Sequence, residues 1–85
     1  MSYSARVNVM LKPGIADPQG QTIERALPAL GYSGVEEVRV GKIIELQVDA
    51  SDGAEARSRV EEMCERLLAN PVIESYEVTI EETSS

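Results

Sequence analysis

The 85-residue sequence contains no histidine, tryptophan or phenylalanine, and it has a single cysteine, Cys64. Without histidine the chain lacks the commonest general base and the commonest metal ligand. A lone cysteine forms no disulfide within the chain, which favours a reducing compartment, so we expect a cytoplasmic protein. Because Tyr3, Tyr32 and Tyr76 are the only aromatic residues, a platform for stacking nucleic-acid bases is not expected.

Positive charge is also scarce, since 8 Lys and Arg residues stand against 15 Asp and Glu residues, for a formal net charge of -7. Nucleic acids and anionic membranes are bound through clustered cations, so neither is an expected partner. No apolar run approaches the roughly 20 residues of a membrane-spanning helix, and the N-terminus lacks a signal-peptide pattern. The sequence therefore favours a protein without a nucleic-acid or membrane function.

The length of the chain fits one small domain, which we place at residues 1–82, followed by a frayed C-terminal tail at residues 83–85. A domain of this size buries only about 60 to 65 % of the surface that its unfolded chain exposes. Oligomerisation often supplements so small a core, and exposed strand edges offer a contact. A homodimer or homotetramer is therefore expected.

Alternating apolar and polar residues predict strands at residues 3–11 and 72–81 and in both halves of residues 34–48. We interpret residues 34–48 as a β-hairpin. Its preferred register places Val40 opposite Ile44 and Arg39 opposite Glu45, because one face is then apolar and the other carries an ion pair.

Asp17 and Pro18 mark the start of a first helix, since the carboxylate can cap free N–H groups and proline fits the first helical position. Pro28 lies inside the apolar stripe that follows, which predicts a kink or a break there. Gly31 is suited to the left-handed conformation that ends a helix.

Asp52 marks the start of a second helix, whose apolar stripe contains Cys64. Asn70 and Pro71 predict its end. The order strand, helix, strand, strand, helix, strand then predicts an α+β fold, a ferredoxin-like βαββαβ arrangement with two helices on one face of an antiparallel sheet.

Catalytic motifs are absent from the sequence, which has no Cys/His cluster, phosphate-binding glycine loop or Ser/His/Asp set. We predict no catalytic, cofactor-binding or metal-binding residue. Turn geometry accounts for the glycines and prolines of three conspicuous turns, at residues 12–14, 17–20 and 41–42. Because loops carry function disproportionately, polar residues in and beside the turns are also candidate partner contacts: Lys12, Asp17, Gln19, Arg39, Lys42 and Asn70.

Four runs also resemble the PurS family in their order and spacing: Leu11-Lys12-Pro13-Gly14, Asp17-Pro18-Gln19-Gly20, Val38-Arg39-Val40-Gly41-Lys42 and Leu67-Leu68-Ala69-Asn70-Pro71-Val72-Ile73-Glu74. PurS proteins are small subunits of the multi-chain phosphoribosylformylglycinamidine synthase (FGAM synthase) of de novo purine synthesis. The resemblance covers nearly the whole chain, although Pro28 departs from the more regular helix expected in that family.

The resemblance implies a PurS-like fold and a non-catalytic subunit of a glutamine-dependent, ATP-using C–N ligase. Such a subunit would bridge a large PurL-type subunit and a PurQ-type glutaminase subunit and would support ammonia transfer between them. It further implies that ATP and magnesium bind the large partner and that no cofactor binds this chain.

An amino-acid-binding regulatory module of the ACT type shares the predicted order of elements and is the alternative function. A free amino acid should stabilise such a module but not a bridging subunit. A small enzyme of the acylphosphatase kind is a third interpretation. It would need an anion-binding loop with a partnered arginine, and neither Arg6 nor Arg39 lies in a glycine-rich turn.

Overall fold

A computed structural model describes residues 1–83 of the chain as a three-stranded antiparallel sheet with two α-helices. The elements in chain order are β1 (Ser2–Leu11), α1 (Pro18–Ala26), a 3-10 turn (Pro28–Leu30), β2 (Gly41–Asp49), α2 (Gly53–Met63), a π-helical turn (Cys64–Leu68) and β3 (Glu74–Glu82). The strand order is β2-β1-β3. This confirms the antiparallel α+β fold with two helices.

Strand β1 occupies the middle of the sheet and supplies much of the core. Its alternate residues Tyr3, Ala5, Val7 and Val9 are buried, as the alternating pattern predicts. They pack with residues of α2 and its continuation, namely Ala56, Val60 and Cys64. Helix α2 therefore covers one face of the sheet.

Both predicted helix starts are confirmed by side-chain caps. The Gly20 N–H donates to Oδ1 of Asp17 over 2.9 Å, and the Glu55 N–H donates to Oδ1 of Asp52 over 2.8 Å. Each carboxylate satisfies a backbone donor that the first helical turn leaves without a partner.

The predicted break at Pro28 is also confirmed. Helix α1 stops at Ala26, a short 3-10 turn follows, and Gly31 takes a left-handed conformation with φ of 95°. Pro28 lacks the N–H group that a continuing α-helix would need.

Helix α2 continues as a single π-helical turn that ends at Leu68, close to the predicted end near Asn70.

The predicted hairpin at residues 34–48 is wrong. Only its second half is a strand, and β2 pairs with β1 instead of with residues 34–40. Arg6 therefore lies opposite Glu45, with 3.4 Å between guanidinium and carboxylate, and the predicted pairing of Arg39 with Glu45 does not form. Within residues 1–83 the sheet has three strands and not the four of the βαββαβ arrangement.

Backbone conformation and hydrogen bonding explain why residues 34–40 form no strand. Gly34 and Glu37 have φ angles of 80° and 56°, in the left-handed region that interrupts an extended chain. The N–H groups of Val38 and Val40 donate to side-chain carboxylates of α1 and its cap, not to a neighbouring strand.

The molecule is elongated, with principal extents of 51 × 29 × 15 Å. Its radius of gyration is 16.7 Å, whereas a compact chain of this length has about 12 Å. Helix α1 contacts residues 38–40 at the end of the sheet, and its apolar stripe, which the 3-10 turn continues, stays open. The exposed fractions of Ile23 and Leu30 are 43 % and 71 %.

The last part of the chain runs in β3, which starts two residues later than predicted, at Glu74. The Thr83 N–H donates to the Ser2 carbonyl oxygen over 3.1 Å. The other two residues of the predicted tail, 84 and 85, lie outside the described residues, and the frayed tail stays a prediction.

Cys64 should be chemically inert in the folded protein, because its side chain is fully buried in the core. Burial, followed by the neighbouring charges of Glu61 and Glu65, raises the pKa of the thiol and so reduces its reactive thiolate form. We expect a thiol reagent to label Cys64 slowly in native buffer and rapidly in denaturant. Rapid stoichiometric labelling with an unchanged circular dichroism spectrum would contradict this placement.

Candidate functional site

The turns singled out in the sequence meet at one end of the sheet, which we call the loop end (residues 11–20, 38–42 and 70–74). A cleft of about 280 Å³ opens there, called below the loop-end cleft. Its apolar lining residues are Val9, Leu11, Pro18, Val40 and Gly41, and its polar lining residues are Asp17, Gln19, Lys42 and Glu74. Helix α1 and strand β2 supply opposite parts of this lining.

The carboxylate of Asp17 ties the start of α1 to the chain entering β2. Besides capping Gly20, it accepts a hydrogen bond from the Val40 N–H at Oδ2 over 2.8 Å. These two bonds, and more weakly the charge of Arg39, lower the pKa of Asp17 against the opposing effect of desolvation. Both oxygens are thus engaged inside the chain.

Two cations of the loop end bind backbone carbonyls of neighbouring loops. The Lys12 Nζ donates to the Pro71 carbonyl oxygen over 2.6 Å, and the Arg39 guanidinium donates to the Leu11 carbonyl oxygen. Neither side chain forms an ion pair within residues 1–83. Their positive charge is therefore held in place without being neutralised.

Asn70 organises the turn before β3. Its Oδ1 accepts from the Val72 N–H over 3.1 Å, and its own N–H donates to the Glu74 carboxylate over 2.7 Å. This is the local bonding by which asparagine stabilises turns. The structure thus gives Asn70 a turn-forming role.

Gln19 and Lys42 differ from the other four candidates. Both are exposed residues in the lining of the loop-end cleft. Within the described chain their side chains form no hydrogen bond or ion pair, so their polar ends are available to a partner. All six candidates therefore lie at the loop end. Among them, only Gln19 and Lys42 form no side-chain hydrogen bond or ion pair within the described chain.

Glu24 and Glu74 are structurally important here and were not among the candidates. Oε1 of Glu24 accepts from the Val38 N–H over 3.1 Å. No sequence pattern points to this contact, because Glu24 has the spacing of an ordinary solvent-facing helical residue and its partner lies 14 positions away. The Glu74 carboxylate accepts from Asn70, as described above.

The loop end offers little metal or acid–base chemistry within the described residues. Among residues 1–83 no group of three or more His, Cys, Asp or Glu side chains is placed to hold a metal ion. Of the two carboxylates in the cleft lining, that of Asp17 is held in its charged form by backbone donors, which is unfavourable for a general acid, and that of Glu74 accepts from the Asn70 N–H. Separately, none of the described helices is long and apolar enough to span a membrane.

Comparison with known proteins identifies the family. The family model described as PurS, phosphoribosylformylglycinamidine (FGAM) synthase, matches residues 4–82. The chain belongs to the PurS family. The PurS subunit of Synechocystis is 48 % identical over 88 % of this chain and 75 % of its own length. That of Methanocaldococcus jannaschii is 44 % identical over 93 % of this chain and 95 % of its own length.

Solved PurS structures share the fold over nearly the whole chain. The M. jannaschii PurS, described as one of the subunits of formylglycinamide ribonucleotide amidotransferase, superposes with a TM-score of 0.85 at 43 % identity, covering 96 % of this chain and 99 % of its own. A chain in the structure of PurLQS from Thermotoga maritima superposes with a TM-score of 0.85 at 38 % identity, covering 94 % and 98 %. The PurS resemblance of the four sequence runs is confirmed.

Asp17 should titrate below the ordinary aspartate pKa of about 3.9, because both of its hydrogen bonds favour the charged form. A lowered folded-state pKa adds stability that is complete above the unfolded-state value and is lost as the pH falls through the folded-state value. The free energy of unfolding should thus fall below about pH 4, and less steeply in an Asp17→Asn variant. Carboxyl NMR titration measures the midpoint, and a value at or above that of the unfolded chain would contradict the bonding described.

Proposed function

We propose that this chain is the non-catalytic small subunit of a phosphoribosylformylglycinamidine synthase in de novo purine synthesis. In this proposal it bridges a PurL-type ATP-dependent subunit and a PurQ-type glutaminase and supports the passage of ammonia between them. The observation that carries the proposal is the match, over 94 % of the chain, to a component of the T. maritima PurLQS structure.

The loop end supports a docking role for this chain. It gathers turns from three separate parts of the sequence and presents Gln19 and Lys42 beside an open, partly apolar cleft. Lys12 and Arg39 add fixed positive charge to a protein whose net charge is -7. The three cations of the loop end outnumber its two carboxylates by one, so a partner surface that approaches this end meets a weakly positive region on a negative protein, which favours oriented encounter.

The substrates of the reaction are assigned to the partners in this proposal. ATP and magnesium would bind the large subunit and glutamine the glutaminase, because the loop end of this chain has no arrangement of acids and bases suited to the reaction. A cytoplasmic location is part of the proposal and is in keeping with a single, buried cysteine.

Self-association forms part of the proposal, because the described chain leaves apolar surface and strand edges open. Around α1 the exposed large apolar residues are Ile15, Ile23, Leu30, Tyr32 and Val35. Strands β2 and β3 are both edges of the sheet within residues 1–83. A second copy of the chain could cover this surface and pair an edge, as a symmetric homodimer or a homotetramer does.

Sedimentation over a wide concentration range checks the self-association. We expect a species of at least twice the 9.3 kDa chain mass, since burial of the exposed stripe of α1 favours association. A single species of 9.3 kDa at every concentration would contradict it.

Reconstitution of the three subunits checks the proposed function. We expect no activity from the isolated chain. Glutamine-dependent amidation by the two partners should require this chain, whereas ammonia-dependent amidation by the large subunit should need it less, because ammonia added to the solution makes transfer unnecessary. Full glutamine-dependent rate and a stable complex without this chain would contradict the bridging role and favour the amino-acid-binding alternative.

Lys42→Glu should weaken the complex by about 1 kcal/mol or more, because it reverses a charge that has no ion-pair partner within residues 1–83. Folding and self-association should be unchanged. Arg25→Glu is the matched control, since it makes the same charge change at an exposed position of α1 outside the loop-end cleft. Equal weakening by both variants would indicate a general effect of net charge and would count against a contact at Lys42.

A further inference from the structure

We propose that Asp17 and Glu24 act together as positioning residues that hold helix α1 against residues 38–40 and so set the shape of the loop-end cleft. Their oxygens accept hydrogen bonds from the N–H groups of Val40 and Val38, over 2.8 and 3.1 Å. The inference rests on the proposed function only in its last step, where the cleft receives a partner subunit.

The two carboxylates accept the hydrogen bonds that a neighbouring strand would otherwise accept from residues 38–40. In an extended chain the N–H groups of residues two apart point to the same side and lie about 7 Å from one another. Asp17 and Glu24 are seven residues apart, about 10 Å along a helix. The longer side chain of Glu24, which leans toward the helix N-terminus, spans the difference.

Gly20 provides independent evidence that α1 and residues 38–40 are built to fit closely. A Cβ atom at Gly20 would overlap the Val38 carbonyl oxygen and the Asp17 carboxylate. Glycine therefore allows the Val38 backbone to rest against the first turn of α1. Any larger residue would push apart the two elements that the carboxylates hold together.

This attachment fixes two sides of the loop-end cleft relative to each other. Pro18 and Gln19 belong to α1, whereas Gly41 and Lys42 belong to β2, whose own position is set by pairing with β1. The carboxylate contacts to Val38 and Val40 join α1 to the chain that enters β2. Loss of either carboxylate contact would therefore move Gln19 relative to Lys42 while leaving the core intact.

Amide hydrogen exchange of the isolated chain, measured by NMR, tests the contact directly. Glu24→Ala should speed exchange at Val38 by about tenfold, the order expected for loss of one hydrogen bond. Glu24→Asp, which keeps the charge but is too short to reach, should do the same. Glu24→Gln retains an acceptor oxygen and should restore protection. Gln21→Ala, which removes an exposed side chain from the same helix, is the control and should change nothing.

Exchange at the amides inside α1 distinguishes a positioning role from a general loss of helix stability. The N–H groups of Gln21 and Leu27 donate to backbone carbonyls of α1 and its cap. The protection of these two amides from exchange should stay unchanged in the Glu24 variants. Unchanged exchange at Val38, or an equal loss of protection throughout α1, would overturn the positioning role.

Binding to the partner subunits tests the last step. If the wild-type chain binds, Glu24→Ala and Glu24→Asp should each bind at least about fivefold more weakly, and Glu24→Gln should bind as the wild type does. Unchanged binding by variants whose Val38 amide has become exposed would overturn the link between cleft shape and docking. Failure of the wild-type chain to bind would instead reject the proposed function, while the exchange result would still decide the contact.

Discussion

The pairing of β1 with strands on both of its sides is the interaction on which the rest of the structure depends. From Tyr3 to Val9 its alternate side chains form the core beneath α2, and its backbone bonds to β2 and β3 along most of its length. The strand ends at Leu11, because Pro13 lacks the donor that a longer ladder needs. The loop end therefore begins where β1 stops, at Leu11.

One consequence is that the chain entering β2 has no strand of its own sheet to bind. The N–H groups of Val38 and Val40 are partly buried, and leaving such groups without partners costs free energy, which favours other acceptors. The carboxylates of Asp17 and Glu24 meet this need and bring α1 to the end of the sheet. The elongated shape, the exposed apolar stripe of α1 and the loop-end cleft all follow from that placement.

Sequence patterns predicted the features that depend on near neighbours. The alternation in β1, the caps at Asp17 and Asp52, and the break at Pro28 each reflect local bonding or local sterics, and all four are confirmed. The hairpin failed because alternation shows that a segment suits a strand but does not identify its partner. Glu45 faces Arg6, 39 residues away in sequence, and the bond from Lys12 to Pro71 spans 59 residues. No local pattern contains such pairings, and the same holds for the contact between Glu24 and Val38.

We propose that the loop end is the surface through which this chain joins its partner subunits. Hydrogen–deuterium exchange of the chain, alone and in the reconstituted three-subunit complex, tests it most directly. We expect new protection on complex formation to be concentrated in residues 11–20, 38–42 and 70–74, with smaller changes along α2. Protection confined to α2 or to the polar face of the sheet around Arg6 and Glu45, with the loop end unchanged, would contradict it.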